Sequence, residues 1–517
     1  MRASKTVAVF ALASAVAGCA VGPNYRAPST PMPQAYDAGP NSPPGTQPTK
    51  PANERTVDLA RWWQSLGDRE LDSLVERAIR ANPDISIALA RLQEARAQEY
   101  VVNGGTLPLV DFAAGAGRGT GSDSTRSRIP GPLHSGANTS GGYKEITEVA
   151  GFDAVWEIDL FGRFQRQNEA ARADAQAAYE ARNAVLITVI ADVARAYVDE
   201  RALAQRLAVA RQNLAIQQQS LDLVTARFNR GITNELDVAL ARRELATVQS
   251  TISPLQSSLV QAQRRVAVLL GEMPQNLYAE LNQPATLPFP SEKIQPGLPI
   301  ELLRRRPDIR QSERQLAAAT ARIGVATADL FPRVALVGSF GFQGQGIGRT
   351  PVMEKEIWSL GPSLYWPLLD FGTLDSVLEF QDLRTRELLF AYRRSVLLAV
   401  EEVDNAISNY HAQRDRLDRL NDAVAASERA VQLATQRYDR GLTDFLNVLD
   451  AQRQLYGLQD QQVIAQESVV VQYIALYKAL GGGWEPFQRV PDIRHPQPTV
   501  FASIRETVAP TSQPTGQ

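Results

Sequence analysis

The sequence predicts a mainly α-helical chain with membrane-type β-structure, built from two copies of one unit. Three observations lead to this fold class. Motifs recur in the same order in both halves, long segments space their apolar residues as a helix does, and four short segments alternate apolar and polar residues. The length of 517 residues leaves room for a large core in each copy.

The internal duplication is visible in two pairs of motifs. Residues 82–85 (Asn-Pro-Asp-Ile) recur as residues 306–309 (Arg-Pro-Asp-Ile), 224 positions later. Residues 227–233 (Arg-Phe-Asn-Arg-Gly-Ile-Thr) recur as residues 437–443 (Arg-Tyr-Asp-Arg-Gly-Leu-Thr), 210 positions later. The offset falls by 14 residues, which predicts a longer exposed loop in a Gly-, Ser- and Thr-rich stretch of the first copy.

These patterns divide the chain into five parts. We expect a signal peptide, an acylated N-terminus with a Pro-rich tether, a first repeat, a second repeat and a C-terminal tail, at residues 1–18, 19–54, 55–290, 291–484 and 485–517. Each repeat is expected to end in a long helix hairpin, at 163–271 and 373–481.

The four alternating segments predict β-strands at about 107–118, 145–161, 331–343 and 356–370. Each strand has one apolar face and is close to the roughly ten residues that a tilted membrane strand needs. The alternative is a pair of half-buried hairpins in a soluble domain. In lipid, four strands cannot close a barrel, and an open sheet edge is not tolerated. Two subunits would supply about eight strands and three about twelve, of which only the larger ring leaves an appreciable lumen.

The helical segments predict a long tube that continues the ring of strands. The longest run from 163 to 228 and from 373 to 437, each roughly 95 Å at 1.5 Å per residue. Both end at a turn where Gly231 and Gly441 suit a left-handed helix stop. Shorter helices complete each copy; they are predicted at 71–103, 235–270 after an Asn234 N-cap, 302–328, and 445–480 after an Asp444 N-cap.

The N-terminus predicts a lipoprotein. A basic start and an apolar run lead to Val16-Ala17-Gly18-Cys19, the layout of a signal peptide followed by a lipidation motif. Diacylglyceryl and N-acyl chains on Cys19 would hold this chain end in a bilayer leaflet. The alternative is an ordinary signal peptide with a chance cysteine.

Composition excludes several classes of function. A net charge of −2 argues against nucleic acid as a partner. One cysteine and three scattered histidines argue against a metal site, and we expect no cofactor beyond the lipid on Cys19. No phosphate-binding loop or nucleophile motif is present, so an enzyme is the least favoured interpretation.

Five short motifs are found in order along the chain: residues 19–25 (Cys-Ala-Val-Gly-Pro-Asn-Tyr), Trp62-Trp63, 306–309, 328–332 (Ala-Asp-Leu-Phe-Pro) and 449–452 (Leu-Asp-Ala-Gln). Together they resemble the TolC-like outer-membrane efflux proteins, in the lipoprotein branch of the OprM/NodT type. The resemblance implies a homotrimer with a 12-stranded outer-membrane β-barrel. It implies a periplasmic α-helical barrel of about 100 Å below it, with a small mixed α/β equatorial belt.

The resemblance also implies the function. It indicates the outer-membrane exit duct of a tripartite efflux pump, which passively conducts drugs or other small toxic compounds. The partners would be a periplasmic membrane-fusion adaptor, a resistance-nodulation-division type inner-membrane transporter and outer-membrane lipid. The duct would open by dilation of its periplasmic helix tips.

The resemblance places a gate at the second tip, where Leu446 would form an apolar constriction and Asp450 an acidic ring. The two residues are one helical turn apart and share a face. Some relatives have a second Asp at the position of Asn447, which puts a cation-binding ring in doubt here. The alternative is that Leu446 is a packing residue and that Asp450 caps a helix or is a solvated charge on it.

The tip turns are the second candidate site. Arg230, Gly231 and Thr233 in the first turn, and Arg440, Gly441 and Thr443 in the second, are expected to dock on the adaptor. The alternative is that they are helix hairpin turns and nothing more. Arg227 and Arg437 are expected to tie neighbouring helices together and hold the tips closed.

Two other functions remain open at this point. The same duct would export a secreted polypeptide or metal ions; four methionines and three histidines do not favour metals. A coiled-coil lipoprotein without a pore is the other alternative, and the tryptophans in the strands argue against it because aromatic residues suit a barrel rim.

Overall fold

The computed structural model describes residues 20–36, 58–120, 144–283, 286–290, 299–346 and 353–488. It describes the backbone alone of residues 116–120, 144–149, 344–346 and 353–355. The signal peptide, Cys19 and most of the C-terminal tail therefore lie outside the described residues. The described chain up to Pro486 belongs to one compact unit, and a second unit begins at Phe487.

The main elements follow the predicted order in both copies. In the first they are α1 (Arg69–Ala81), α2 (Pro83–Gly104), β1 (Leu109–Thr120), β2 (Lys144–Ile158), α3 (Arg163–Asn229) and α4 (Glu235–Leu270). In the second they are α5 (Pro307–Ala328), β3 (Arg333–Gly346), β4 (Met353–Tyr365), α6 (Thr373–Asp439) and α7 (Phe445–Ala479). Short helices and 3-10 turns lie at Leu59–Leu66, Pro274–Asn276, Tyr278–Leu281, Pro299–Glu301, Leu302–Arg305 and Glu485–Phe487.

The helix predicted at 71–103 is wrong as a single element, because it breaks at Asn82. Proline has no N–H to continue the ladder, so Pro83 starts a new helix. The Asn82 side chain caps that helix by accepting hydrogen bonds from the backbone N–H groups of Asp84 and Ile85. Its amide also donates to the Leu269 carbonyl at 2.7 Å, which fixes the break against α4. The helix predicted at 302–328 also breaks before a proline, Pro307, but there the N-cap residue Arg306 makes no side-chain capping bond.

The four predicted strands form one antiparallel sheet in the order β1-β2-β3-β4. The register places an aromatic row across one face, where Phe112, Phe152, Phe340 and Trp358 stand opposite one another on successive strands. All four are exposed in the single subunit. The other face is polar; there the hydroxyls of Ser339 and Ser359 lie 2.8 Å apart. An apolar face and a polar face suit a sheet between lipid and a water-filled lumen.

The two long helices have the same length of 67 residues, about 100 Å at 1.5 Å per residue. The returning helices α4 and α7 are half as long, with 36 and 35 residues. α5 packs against α3 and α6 next to the sheet, and α2 packs against α3. Each long helix therefore packs against α2 or α5 near the sheet and against α4 or α7 farther from it.

The core around the middle of the molecule is built from α6, α7 and the start of α5. Its buried members include Ile309, Val396, Val403 and Leu476, and Tyr36 of the N-terminal segment packs against them. In the described residues this belt consists of helices, 3-10 turns and irregular segments. No described helix is both long enough and apolar enough to cross a membrane.

Candidate gate and docking tips

Each helix hairpin turns through the same motif. Gly231 and Gly441 adopt the left-handed conformation, with φ of 73° and 69°. The next residue then donates its N–H back to the helix end: Ile232 to the Arg227 carbonyl at 3.0 Å, and Leu442 to the Arg437 carbonyl at 2.9 Å. These bonds satisfy carbonyls that the helix leaves unpaired, which is why glycine is needed at both turns.

The following helices are capped differently. The Asn234 side chain accepts from the Asp237 N–H at 3.0 Å, as the sequence predicts. Asp444 occupies the same place, but its side chain forms no capping hydrogen bond. In the second turn Asn447 instead donates its amide to the Thr443 hydroxyl at 2.7 Å. Asp444 is thus the N-cap residue, as predicted, but its side chain does not cap the helix.

A small apolar cluster joins the two tips inside one subunit. We call it the tip cluster; it contains Val224, Val238, Ala241, Tyr438, Phe445, Val448 and Leu449, all buried. The rings of Tyr438 and Phe445 lie 5.6 Å apart at an angle of 54°. Because the cluster takes residues from α3, α4, α6 and α7, it fixes the hairpins side by side.

Arg227 reinforces this contact. Its guanidinium lies 4.3 Å from the centre of the Tyr438 ring and donates to the Tyr438 carbonyl at 3.1 Å. It also pairs with the Asp439 carboxylate at 3.4 Å. Arg437, its counterpart in the second copy, is exposed and forms no such contact with the described residues of its own subunit. One subunit therefore shows the tying contact for Arg227 alone.

Leu446 and Asp450 lie together on the outer face of the first turns of α7. Leu446 is 57% exposed, and Asp450 is also exposed. Phe445, Val448 and Leu449 on the opposite face are buried in the tip cluster. The structure thus brings the two predicted gate residues to one surface that points away from the subunit's own packing.

The turn surface differs in part from the one expected. Arg230, Gly231, Arg440 and Gly441 are exposed, but Thr233 and Thr443 are half-buried. The Thr233 hydroxyl donates to the Asp237 carboxylate, so this side chain is committed to the turn. The sequence reasoning overlooked Ile232 and Leu442, two exposed apolar side chains at the tip, although a large apolar residue in a short polar turn was the available signal.

A polar seam between α3 and α7 was not anticipated either. Arg206 pairs with Asp460 at 2.7 Å, and Gln217 donates to Gln452 at 3.3 Å. Higher in the seam, burial raises the pKa of Glu467 to about 7, with the neighbouring Asp199 carboxyl as the second cause. In the described part of the chain, no group of three or more His, Cys, Asp or Glu residues is arranged to hold a metal ion.

Comparisons with known proteins identify the family. The pattern of the Outer membrane efflux protein family matches residues 74–272 and 298–482, one match in each copy. The chain is 33% identical over 459 residues to the pyoverdine export outer membrane protein OpmQ of Pseudomonas putida, covering 88% of this chain and 95% of that protein. It is 29% identical over 488 residues to nodulation protein T of Rhizobium leguminosarum bv. viciae, covering 92% and 94%.

The fold has a close counterpart among solved structures. The outer-membrane channel OprN superimposes with a TM-score of 0.80 at 37% identity, covering 90% of this chain and all of that chain. The expected resemblance, fold class and outer-membrane location, with helices extending into the periplasm, are confirmed by these matches. The chain belongs to the outer membrane efflux protein family and is a channel subunit of the TolC-like fold.

Proposed function

We propose that this chain is the exit duct of a tripartite efflux pump, passively conducting drugs or other small toxic compounds out of the cell. The observation that carries the proposal is the exposed face of α7, where Leu446 and Asp450 point away from the tip cluster. An apolar side chain followed by a carboxylate is what a closable, water-conducting constriction needs. The relative OpmQ is an export protein and OprN is an outer-membrane channel, which supports the expectation that the chain is not an enzyme.

The duct requires a homotrimer. β1 and β4 are the two free edges of the four-stranded sheet. An open edge is not tolerated in lipid, so three subunits would pair their edges into about twelve strands. The 67-residue helices would continue this barrel as a helical tube. Each subunit contributes two repeats, which we place at 55–290 and 291–484.

The gate would form where three copies of α7 converge on the threefold axis. Three Leu446 side chains would narrow and dry the passage, and three Asp450 carboxylates would attract cations while repelling one another. Dilation of the tips would separate both rings. The duplication also suggests a partner for Arg437. Arg227 contacts Tyr438 inside one subunit; the equivalent of Arg227 is Arg437, 210 positions later, and the equivalent of Tyr438 is Phe228, 210 positions earlier. Arg437 would therefore contact Phe228 of the partner subunit.

The tip turns would bind the periplasmic adaptor. Arg230 and Arg440 are exposed charges, and the exposed Ile232 and Leu442 add an apolar contact beside each. Six such turns in a trimer would present a near-sixfold surface to an adaptor, which would connect the duct to a resistance-nodulation-division type transporter. Gly231 and Gly441 hold the turn shape, and Thr233 and Thr443 stabilise it from inside.

The lipid anchor fits the start of the described chain. Ala20 lies against Gly162, where a Cβ on the glycine would come within 2.5 Å of the Ala20 Cα. The Val21 N–H donates to the Phe161 carbonyl at 3.1 Å, directly after β2. Diacylglycerol and N-acyl chains on Cys19 would therefore enter the outer membrane at the junction of strands and helices. We propose no other cofactor.

Two other cargoes for the same duct are a secreted polypeptide and metal ions. The described residues contain no cluster of metal-ligating side chains, which gives no support to metal transport. We favour small organic compounds, because the relative that is 33% identical is a pyoverdine export protein.

The proposal is tested by the accumulation of a fluorescent dye and several antibiotics in the host with and without this gene. Deletion is expected to raise accumulation, and the wild-type gene to restore it. A variant with residues 230–233 and 440–443 scrambled but Cys19 intact is expected not to restore it. Unchanged accumulation on deletion would contradict an efflux duct for these compounds.

A further inference from the structure

A cavity lies where α5 and α7 meet end to end. α5 begins at Pro307 and α7 ends at Ala479, and both helices pack between the long helices α3 and α6. The gap between the two ends leaves a cavity of about 470 Å³, which we call the joint cavity. All four helices contribute to its lining. Its volume falls in the range of pockets that hold drug-sized molecules.

Arg306, the residue before α5, holds this joint together. Its guanidinium donates to the Ala479 carbonyl at 2.9 Å and pairs with the carboxylates of Asp308 and Glu402 at 2.6 Å and 2.7 Å. Arg306 is buried, and Gly481 turns directly against it with a φ of 76°. A Cβ on that glycine would lie 3.1 Å from the Arg306 Cα. The joint cavity therefore has a fixed end wall.

The charges in the lining of the joint cavity balance one another. The lining contains two cations, Arg306 and Lys478, and two carboxylates, Asp308 and Glu402. Arg306 pairs with both carboxylates, and the Lys478 ammonium lies 3.9 Å from the Asp192 carboxylate. A charged ligand would have to disrupt one of these pairs, so the lining favours an uncharged one.

Four polar side chains of the lining are available to a ligand. They form no hydrogen bond within the described part of the chain, and each is exposed or half-buried; they are Thr188, Asn405, Asn409 and Gln472. One hydroxyl and three amides offer both donors and acceptors. Ala184, Ile187 and Ala475 add apolar contact beside them. An apolar wall with a few polar groups is typical of sites for small organic molecules.

The amides of the joint cavity are specific to the second copy. At the offset of 210, Asn405 corresponds to Arg195, and Asn409 corresponds to Asp199. Both equivalents carry a charge. The uncharged lining is therefore a feature that the duplication does not explain.

The joint cavity lies on the face of α7 that carries the proposed gate. Ala475 follows Asp450 by 25 residues, which is close to seven helical turns, so both side chains point in nearly the same direction. The opposite face of α7 is packed: Leu476 is buried in the core at the middle of the molecule, and Tyr477 stacks on Trp62 with ring centroids 5.8 Å apart. In the proposed duct, the joint cavity therefore faces the lumen.

We propose that the joint cavity is a binding site in the wall of the duct for uncharged organic molecules that carry both hydrogen-bonding and apolar groups. Asn405, Asn409 and Gln472 bind the polar groups, and the alanine and isoleucine side chains contact the apolar part. A trimer has three such sites at one level of the lumen. The inference rests on the proposed duct and adds a place where its cargo binds on the way out.

Chloramphenicol, an uncharged amide with two hydroxyl groups and an aromatic ring, is the probe. Equilibrium dialysis of the radiolabelled probe against the wild-type protein in lipid nanodiscs is expected to show saturable binding, and empty nanodiscs measure partition into lipid. Gln472→Leu removes one amide and is expected to weaken binding about fivefold, the effect of one lost hydrogen bond. Ala475→Trp fills the joint cavity and is expected to abolish saturable binding.

Two matched controls lie on the same face of α7, outside the joint cavity. Gln461 is exposed, and a Cβ added to Gly457 would meet no other atom within 4 Å. They follow Asp450 by 11 and 7 residues, close to three and two helical turns. Gln461→Leu and Gly457→Trp are expected to bind the probe as the wild type does.

Absence of saturable binding to the wild type would overturn the site, as would equal weakening by a cavity variant and its control. Native mass spectrometry reports whether each variant still assembles. If Ala475→Trp does not, the comparison of Gln472→Leu with Gln461→Leu decides the question. The accumulation assay tests the duct separately: absent binding together with normal export overturns the joint cavity alone, whereas unchanged accumulation on deletion overturns the duct.

Discussion

The two helix tips have the same backbone conformation, but they expose different side chains. Leu236 in the first copy and Leu446 in the second occupy equivalent positions and are 62% and 57% exposed. One turn later, Leu240 packs against the tip cluster, whereas its equivalent Asp450 is exposed. A single exchange of leucine for aspartate thus changes a packing position into a surface charge.

The difference teaches that both tips kept the same hairpin structure, whereas only the second carries the residues of the proposed gate. At the first tip Leu240 packs against the tip cluster, so the exposed Leu236 has no carboxylate one turn later on its helix face. The second tip presents a leucine and a carboxylate on the same helical face, available to a threefold axis. The first tip is therefore a natural control for every experiment on the second.

The largest effect is expected from Leu446→Ser. A hydroxyl in place of the apolar side chain would wet the constriction, and we expect closed-state conductance in planar bilayers to rise by about tenfold. Leu236→Ser removes an equally exposed leucine from the other tip and is expected to leave conductance unchanged. Equal leak from both variants would show that the tips loosen generally and that Leu446 forms no gate.

Arg227 and Arg437 give the next comparison. Arg227→Ala removes an ion pair and a ring contact inside the subunit, so a rise in leak of about threefold is expected, consistent with the loss of a partly exposed charge pair. Arg437→Ala is expected to raise leak similarly through the contact between subunits. Unchanged conductance of Arg437→Ala would refute its role in closing the tips. Lysine at either position keeps the positive charge, so it should leak less than alanine there.

The sequence predicted the helices and strands well because periodicity and internal repetition are local signals. The break at Asn82 escaped because the helical pattern continues across it, although Pro83 marked the place. Leu446 and Asp450 were located through the family resemblance and helical spacing. Pairs such as Asp199 and Glu467 could not be found, because residues 268 positions apart in the chain meet only after the helices pack.

The caps offer a smaller test of the same comparison. Asn234→Ala removes a capping hydrogen bond and is expected to destabilise the first turn of α4 by about 1 kcal/mol. Amide exchange there should accelerate about fivefold. Asp444→Ala, whose carboxylate caps nothing, should leave exchange in the first turn of α7 nearly unchanged. Equal acceleration at both tips would show that the Asp444 charge near its helix start matters as much as the Asn234 capping bond.

The smallest expected effect is the pH dependence of the seam between α3 and α7. Burial and the Asp199 carboxyl raise the pKa of Glu467 to about 7 from an ordinary value of 4.5, while Arg206 and Arg195 lower it in part. A raised carboxyl pKa means that the folded seam prefers the protonated form. The contribution of Glu467 to the free energy of unfolding is therefore fully present below about pH 4.5 and is lost as the pH rises through about 7.

Glu467→Gln keeps the shape of the side chain and removes its charge. We expect the variant to gain roughly 1–2 °C in thermal midpoint at pH 8 and to match the wild type at pH 4.5, since the side chain is only partly buried. Glu428→Gln, at an exposed position on α6, is the control and should not alter the pH response. If the wild type and Glu467→Gln respond to pH alike, Glu467 is already ionised in the folded seam, and Arg206 and Arg195 outweigh burial there.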